Sequence, residues 1–386
     1  MKKKHFERLL KPPKTSFFLL GMRGVGKTSW VKQYFPKAHF IDLLDESIFQ
    51  DFLQEPKLFS KELNSLESSS WVIVDEIQRL PNLLNEVHKA IEDRELKFAL
   101  LGSSARKLRK VGVNLLGGRA LNKNLHPLLP QELKNEFSLD KVLEIGSIPL
   151  ILNAPSPKEQ LESYMQLYLK EEIKAEALVR NLPGFARFLP VSALFHAQVL
   201  NIEGLARDAG VARSTVQGYL EILEDTLLAW RLPAFEGRLR VKEKRHPKFY
   251  WADPGLARAA KKDFSKPKNE ELGHLFEGFI AATLKSYHEL NLLDYESLNY
   301  WSAGGSSNNV EVDFLINRGS EIIAIEVKYA EKVKDDFLKG LKAISELKEV
   351  KRKILVYRGE RKLKLDDGIE VLPFKNFLEE LEKGRL

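Results

Sequence analysis

Short, uninterrupted apolar runs recur through the first third of the chain. "SFFLLG" from Ser16, "HFIDLL" from His39, "WVIVDE" from Trp71 and "KFALLGSS" from Lys97 read as buried strands, and "KTSWVKQYF" from Lys27 reads as a helix. Strands that are apolar throughout, rather than in alternation, are covered on both faces, which predicts a parallel sheet between helices. From Leu128 to about Pro190 apolar residues recur three and four apart, most clearly in "PKEQLESYMQLYLKEEIKAEALVRN", and the pattern becomes that of amphipathic helices. "NIEGLARDAGVARSTVQGYLEILEDTLLAWRL" from Asn201 predicts a helix, a tight turn at Gly210 and a second helix, followed by the basic extended stretch "EGRLRVKEKRHPKFYWAD". The polar, proline-containing "KKDFSKPKNEE" reads as a linker. Beyond it lie a helix, "LGHLFEGFIAATLKSYH", and the strand-like "YESLNYWSA", "VEVDFLIN", "EIIAIEVK" and "KRKILVYRG". The expected domains are residues 1–127, 128–190, 191–262 and 263–386.

A chain of 386 residues exceeds one ordinary core, in keeping with that division. Hydrophobic residues at 44% and charged residues at 30% fit a globular protein and exclude a disordered one. No apolar run is long enough to span a bilayer, so no membrane partner is expected. The opening "MKKKHFERLLKPPK" begins basic, like a signal peptide, but charge and Pro12-Pro13 break its apolar pieces. The absence of Cys excludes disulfides and thiolate metal sites, and suits a reducing cytoplasm. A net charge of +7 favours an anionic partner such as nucleic acid.

The sharpest chemistry lies in "GMRGVGKTS". Gly21, Gly26, Lys27 and Thr28 have the spacing of a phosphate-binding loop, with Gly24, Val25 and Ser29 completing it. Such a loop wraps backbone N–H groups around phosphate oxygens, sends its lysine to the β- and γ-phosphates, and offers the Thr hydroxyl to Mg²⁺. The strand before it and the helix after it supply the expected context. "WVIVDE" brings Asp75 and Glu76 to the carboxyl end of a buried strand, where open parallel sheets bind ligands. Asp75 would hold Mg²⁺ and Glu76 would polarise the attacking water, making ATP and Mg²⁺ the expected cofactors. A lone Asp-Glu after a strand is often only a solvated strand end, and the upstream loop tips the balance.

"FALLGSS" ends at Ser103 and Ser104, either of which suits a hydrogen bond to that water or to the γ-phosphate. Arg119 follows a helix-like stretch and precedes the next strand. This order resembles the AAA+ ATPase core: Walker A loop, Walker B strand, sensor strand, arginine finger and helical lid, over residues 1 to about 190. The resemblance implies that Arg119 reaches the γ-phosphate of a neighbouring subunit, and hence a homo-oligomer, usually a hexameric ring. A surface salt bridge is the simpler alternative for Arg119. Arg180 and Arg187 both compete for the lid arginine and neither is chosen.

The helix–turn–helix pattern places Arg213, Ser214, Thr215 and Gln217 near the exposed start of its second helix. The basic stretch would form a wing with Arg238, Arg240, Lys242, Lys244, Arg245 and Lys248, against Glu236 and Glu243. This looks like a winged helix, which implies contact with DNA, although such domains also dock proteins.

In "EVDFLINRGSEIIAIEVK", Asp313 lies on one strand, and Glu326 and Lys328 share a face of the next. Two carboxylates beside a lysine suit a divalent ion and phosphodiester attack, with Glu277 in "LFEGF" a third carboxylate. The set resembles the PD-(D/E)xK restriction-endonuclease-like fold, with Val312 in place of the usual Pro. Edge strands with solvated charges are the bland alternative, and a nuclease fold that has lost catalysis and only binds DNA is a third, although the retained acidic residues and lysine leave the chemistry open. The whole order resembles a family of prokaryotic AAA+ ATPases that join a Walker-type half to a C-terminal domain of uncharacterised function with such a core. The expected fold class is thus α/β: an AAA+ P-loop parallel-sheet core with helical lid, then a winged helix and an α/β restriction-endonuclease-like domain. An ATP-driven DNA motor or remodeller acting on duplex or branched DNA is the favoured function. A metal-dependent nuclease of the defence type, and a regulator or protein-remodelling ATPase without DNA activity, are the alternatives.

Overall fold

The computed structural model describes residues 4–104, 116–175, 181–235, 242–243, 246–304 and 310–386. They form two compact units. The first holds Met1–Leu128 with Ile148–Ala154 and Ile222–Leu228, and the second holds Leu129–Ser147, Pro155–Glu221 and Ala229–Leu386. No described helix is long and apolar enough to cross a membrane.

In the first unit, β1 (Phe17–Leu20), β2 (His39–Asp42), β3 (Trp71–Asp75), β4 (Lys97–Gly102) and β5 (Leu121–Asn124) form one parallel sheet. Their order is β2-β3-β4-β1-β5. Alternate residues of β1 point to opposite faces, and both faces are covered. Phe17 meets Trp30, Phe35 and Trp71 on one side. Phe18 and Leu20 join Val72, Val74, Phe98 and Leu100 in the other core, against Phe52, Phe59, Leu84 and Val87 from the helices. This two-sided burial is why the strands read as continuous apolar runs. Local signals set the helix starts. The Asp45 side chain accepts from the N–H groups of Ser47 and Ile48 to cap Glu46–Gln54, and Pro56 opens the next helix.

The strand order has one consequence for chemistry. β4 lies between β1 and β3, so the end of β4 stands between the ends of the other two.

The second unit begins with mostly helical chain, including Leu139–Ile145, Pro157–Ala175 and Leu182–Leu194. Asn181 caps the last of these through the Gly184 N–H. Next come β6 (Gln198–Val199), helix Ile202–Ala209, a turn at Gly210 with φ of +63°, and helix Arg213–Asp225, which is counted in this unit as far as Glu221. β7 (Ala229–Leu232), β8 (Lys242–Glu243) and β9 (Lys248–Trp251) follow. β9 is the middle strand of an antiparallel sheet, β6-β9-β7. The expected linker is helical at both ends, since helix Pro254–Lys261 closes on its first residue and helix Asn269–Glu289 opens within it.

The remaining strands are β10 (Ser297–Gly304), β11 (Glu311–Asn317), β12 (Ile322–Lys328), β13 (Val350–Tyr357), β14 (Leu363–Lys364) and β15 (Glu370–Pro373). With β8 they form a mixed sheet, β14-β15-β13-β12-β11-β10-β8. β11 pairs antiparallel with β10 and β12, whereas β13 pairs parallel with β12 and β15. One core of this sheet gathers Trp301, Val312, Leu315, Ala324, Leu341 and Leu355.

Candidate functional site

The loop after β1 turns into helix Lys27–Tyr34 through Gly24 and Gly26, at φ of +83° and +95°. Side chains rarely adopt such angles, and a Cβ on Gly24 would stand 2.9 Å from that of Leu150. No side chain caps this helix, so its first N–H groups remain for an anion. Lys27 is 6% exposed, and its Nζ donates to the carbonyls of Gly21 (2.6 Å) and Met22 (3.4 Å). These features fit a phosphate chain. Val25 is buried in the loop, and Ser29 is exposed on the first turn.

The loop is braced from outside its motif. Arg8 donates to the Val25 carbonyl at 2.8 Å and to the His126 carbonyl at 2.5 Å. The Trp30 indole donates to the Leu10 carbonyl at 3.2 Å, and the Leu150 N–H donates to the Gly24 carbonyl at 3.2 Å.

The end of β3 meets this loop. Thr28 Oγ1 donates to Asp75 Oδ2 at 2.6 Å, so the two expected Mg²⁺-binding oxygens already adjoin. Burial pushes the Asp75 pKa up, the Thr28 hydrogen bond opposes it, and Glu76 raises it further. Glu76 sits in the left-handed region at φ of +56°, which turns the chain sharply out of the strand. The Gln78 amide donates to the Glu76 carboxylate and also to Ser103 Oγ at 3.0 Å. β4 thus delivers Ser103 between the loop and Glu76, through a glutamine that the motifs do not contain. Ser104 is fully buried beside it.

Arg119 lies just before β5, and Phe17 is in register with Leu121, so it stands at the amino end of the sheet. The phosphate loop is at the carboxyl end. Arg119 Nε pairs with Glu92, and its side chain is 39% exposed. The helix-like stretch before it is residues 105–115, outside the described residues.

In the second unit Arg213, Ser214 and Gln217 are exposed and Thr215 is half-buried at the start of helix Arg213–Asp225. Arg213 pairs with Glu203 at 3.4 Å. Arg187 donates to the Ala209 carbonyl at 3.1 Å, tying two helices together. Lys242 lies on β8, while Arg180, Arg238, Arg240, Lys244 and Arg245 lie outside the described residues.

The C-terminal set does converge. Asp313 Oδ2 accepts from the Val327 N–H at 2.9 Å, and Lys328 Nζ meets Glu326 Oε1 at 2.5 Å. Lys248, expected among the cations of an exposed wing, corrects that expectation. It is 2% exposed, and its Nζ lies 2.8 Å from Glu277 Oε1 and 3.1 Å from Asp313 Oδ1, and also pairs with Glu311. The reason is strand parity, which sends Lys248 and Tyr250 to one face of β9. The Tyr250 hydroxyl donates to the same Glu277 oxygen at 2.7 Å. Burial pushes the Glu277 pKa up to about 7, Asp313 and Glu311 add to that, and Lys248 opposes it. Burial and then Asp313 raise Glu326 well above the carboxylate range, against the pull of Lys328, and its Oε2 is buried without a partner. Burial would lower the Lys248 pKa, but Glu277, Tyr250, Asp313 and Glu311 together raise it well above the usual lysine value. Among the described residues no group of three or more His, Cys, Asp and Glu side chains is disposed to hold a metal ion. Around Lys248, one oxygen each of Glu277, Glu311 and Asp313 is turned to the ammonium.

A family model described as an AAA domain matches residues 13–134. Two further models, both described as domains of unknown function, match residues 136–267 (DUF8612) and 272–377 (DUF4143). Uncharacterized proteins of Mycobacterium bovis and Mycobacterium tuberculosis are each 24% identical over 372 residues, 93% of this chain and 80% of theirs. An uncharacterized protein of Haemophilus influenzae is 21% identical over 360 residues, 84% of this chain and 86% of its own. Among solved structures, the Aeropyrum pernix ORC1 protein in complex with DNA matches with 13% identity and a TM-score of 0.28, over 66% of this chain and 87% of that one. The first unit therefore carries an AAA domain, and nucleotide binding goes with that class.

Proposed function

We propose that this chain is an ATP-hydrolysing AAA+ protein that acts on duplex or branched DNA as a homo-oligomer. One observation carries the ATP-hydrolysing part of the reading. Lys27, the Thr28–Asp75 pair and the Glu76–Gln78–Ser103 chain meet at the adjoining ends of β1, β3 and β4. On binding ATP, Lys27 exchanges its two backbone carbonyls for β- and γ-phosphate oxygens, and the uncapped helix start faces the same phosphates. Thr28 and Asp75 would hold Mg²⁺, whose role is to neutralise phosphate charge. Glu76 takes a proton from the attacking water, while Gln78 and Ser103 fix its carboxylate.

Arg119 stands at the sheet edge remote from its own loop, so its role is in trans, toward the γ-phosphate of a neighbouring subunit in a ring. Arg119→Ala should bind ATP but hydrolyse it poorly. Mixing it with Lys27→Ala subunits should restore hydrolysis, and normal activity in Arg119→Ala alone would remove this role.

DNA contact is assigned to the second unit. Exposed Arg213, Ser214 and Gln217 open the second helix of a helix–turn–helix, and the β6-β9-β7 sheet beside it supports a winged helix. The convergence of Glu277, Asp313, Glu326 and Lys328 supports a nuclease-like core. The test is ATP hydrolysis without DNA, with linear duplex, and with forked or four-way junction DNA. Stimulation is expected, and the ranking of substrates names the target. Equal rates in all three would overturn DNA action and favour a protein-remodelling ATPase.

A further inference from the structure

We infer that the Lys248 ammonium is a tethered cation occupying the place a divalent metal takes in a nuclease-like core, so that this core takes no metal and cuts no DNA. The inference rests on the nuclease-like reading of the second unit only, and is independent of ATP hydrolysis.

The first ground is coordination. An ammonium has three N–H donors and no acceptor, and Glu277, Glu311 and Asp313 receive one each. The contacts to Glu277 and Asp313, at 2.8 and 3.1 Å, are those of N–H···O bonds. Mg²⁺ and Ca²⁺ need oxygens at about 2.0–2.6 Å. The oxygens of Glu277 and Asp313 therefore stand at the distance of a nitrogen and not of a metal.

The second ground is anchorage. Lys248 lies on the middle strand of its sheet, in register with Val199 on one side and Leu232 on the other. Withdrawing it would break both ladders. Tyr250, two residues on, holds the same Glu277 oxygen, and the Tyr300 ring lies 5.6 Å from Nζ. An incoming metal would also leave this ammonium buried without a partner.

The third ground is the other lysine. Lys328, which a nuclease would turn toward an attacking water, is paired with Glu326 at 2.5 Å. Both cations of the cluster are thus committed to carboxylates, and the cluster joins the small sheet to the large one.

The test is uptake of Mn²⁺ by the full chain without nucleotide, read as loss of the free Mn²⁺ electron paramagnetic resonance signal. The wild type should show no uptake that depends on Asp313. Lys248→Met, checked for folding by circular dichroism, should gain a single equivalent, and adding Asp313→Asn should remove it. If Lys248→Met does not fold, Lys248→Gln is the milder replacement and is read in the same way. Two results would overturn the inference: wild-type uptake abolished by Asp313→Asn, or a folded Lys248 variant that gains none. The first would also restore the metal-dependent nuclease reading, and ATP hydrolysis would be untouched by either.

Discussion

Two buried lysines sit in the two units, and they are held in opposite ways. Lys27 is bonded to neutral carbonyls of its own loop, and Lys248 to three carboxylates from a helix and a strand. A phosphate chain outbids carbonyls for an ammonium, because a charged acceptor makes a hydrogen bond roughly twice as strong. Carboxylates already fill Lys248, and nothing anionic is left to gain. The same side chain is therefore a receptor in one place and a rivet in the other. What differs is the charge of the acceptors that receive these hydrogen bonds.

Lys27→Ala gives the largest expected effect. ATP binding, followed with a fluorescent analogue, and hydrolysis should both fall below detection while the circular dichroism spectrum stays unchanged. Retained binding would break the contrast, since the loop lysine would then be as inert as its counterpart.

Lys248→Ala comes next and should act on stability instead. Removing one partner of a buried ion pair costs about 3–5 kcal/mol. The urea unfolding midpoint should move to lower denaturant, by that free energy divided by the m-value, with nucleotide affinity preserved. Adding Glu277→Gln should recover part of the loss, because it removes one of the orphaned charges.

Glu76→Gln should keep ATP affinity and slow hydrolysis by roughly a hundredfold, the low end for loss of a general base. Gln78→Ala should slow it less, by about tenfold, because it loosens Glu76 and Ser103 without removing either. Equal rates in wild type and Gln78→Ala would show that the glutamine bridge has no part in turnover.

Much of this was legible in the residues, for physical reasons. A loop that must wrap phosphates needs glycines at left-handed angles, and that requirement is local, so Gly24 and Gly26 betray it. Strands buried on both faces carry their burial in composition, as β1, β3 and β4 do. Strand parity also put Glu326 and Lys328 on one face. The strand order is not local, and so neither is the placement of Ser103 between the loop and Glu76. Gln78 carries no motif, because its importance comes from two partners 2 and 25 positions away. By composition alone Lys248 belongs with its basic neighbours. Its alternation with Tyr250 hinted at a shared face, but only the fold shows that the face is acidic. Glu311 was within reach of the same parity argument, two residues before Asp313.

The Arg8 brace has a practical bearing. Trimming the chain back to β1, as in dissection to a minimal ATPase fragment, would remove the guanidinium that holds Val25 and His126 in place. Such a fragment would fold around the same sheet yet grip nucleotide less firmly. Nucleotide affinities measured on it would then fall below those of the full chain, and a purification tag is better placed at the far end of the chain.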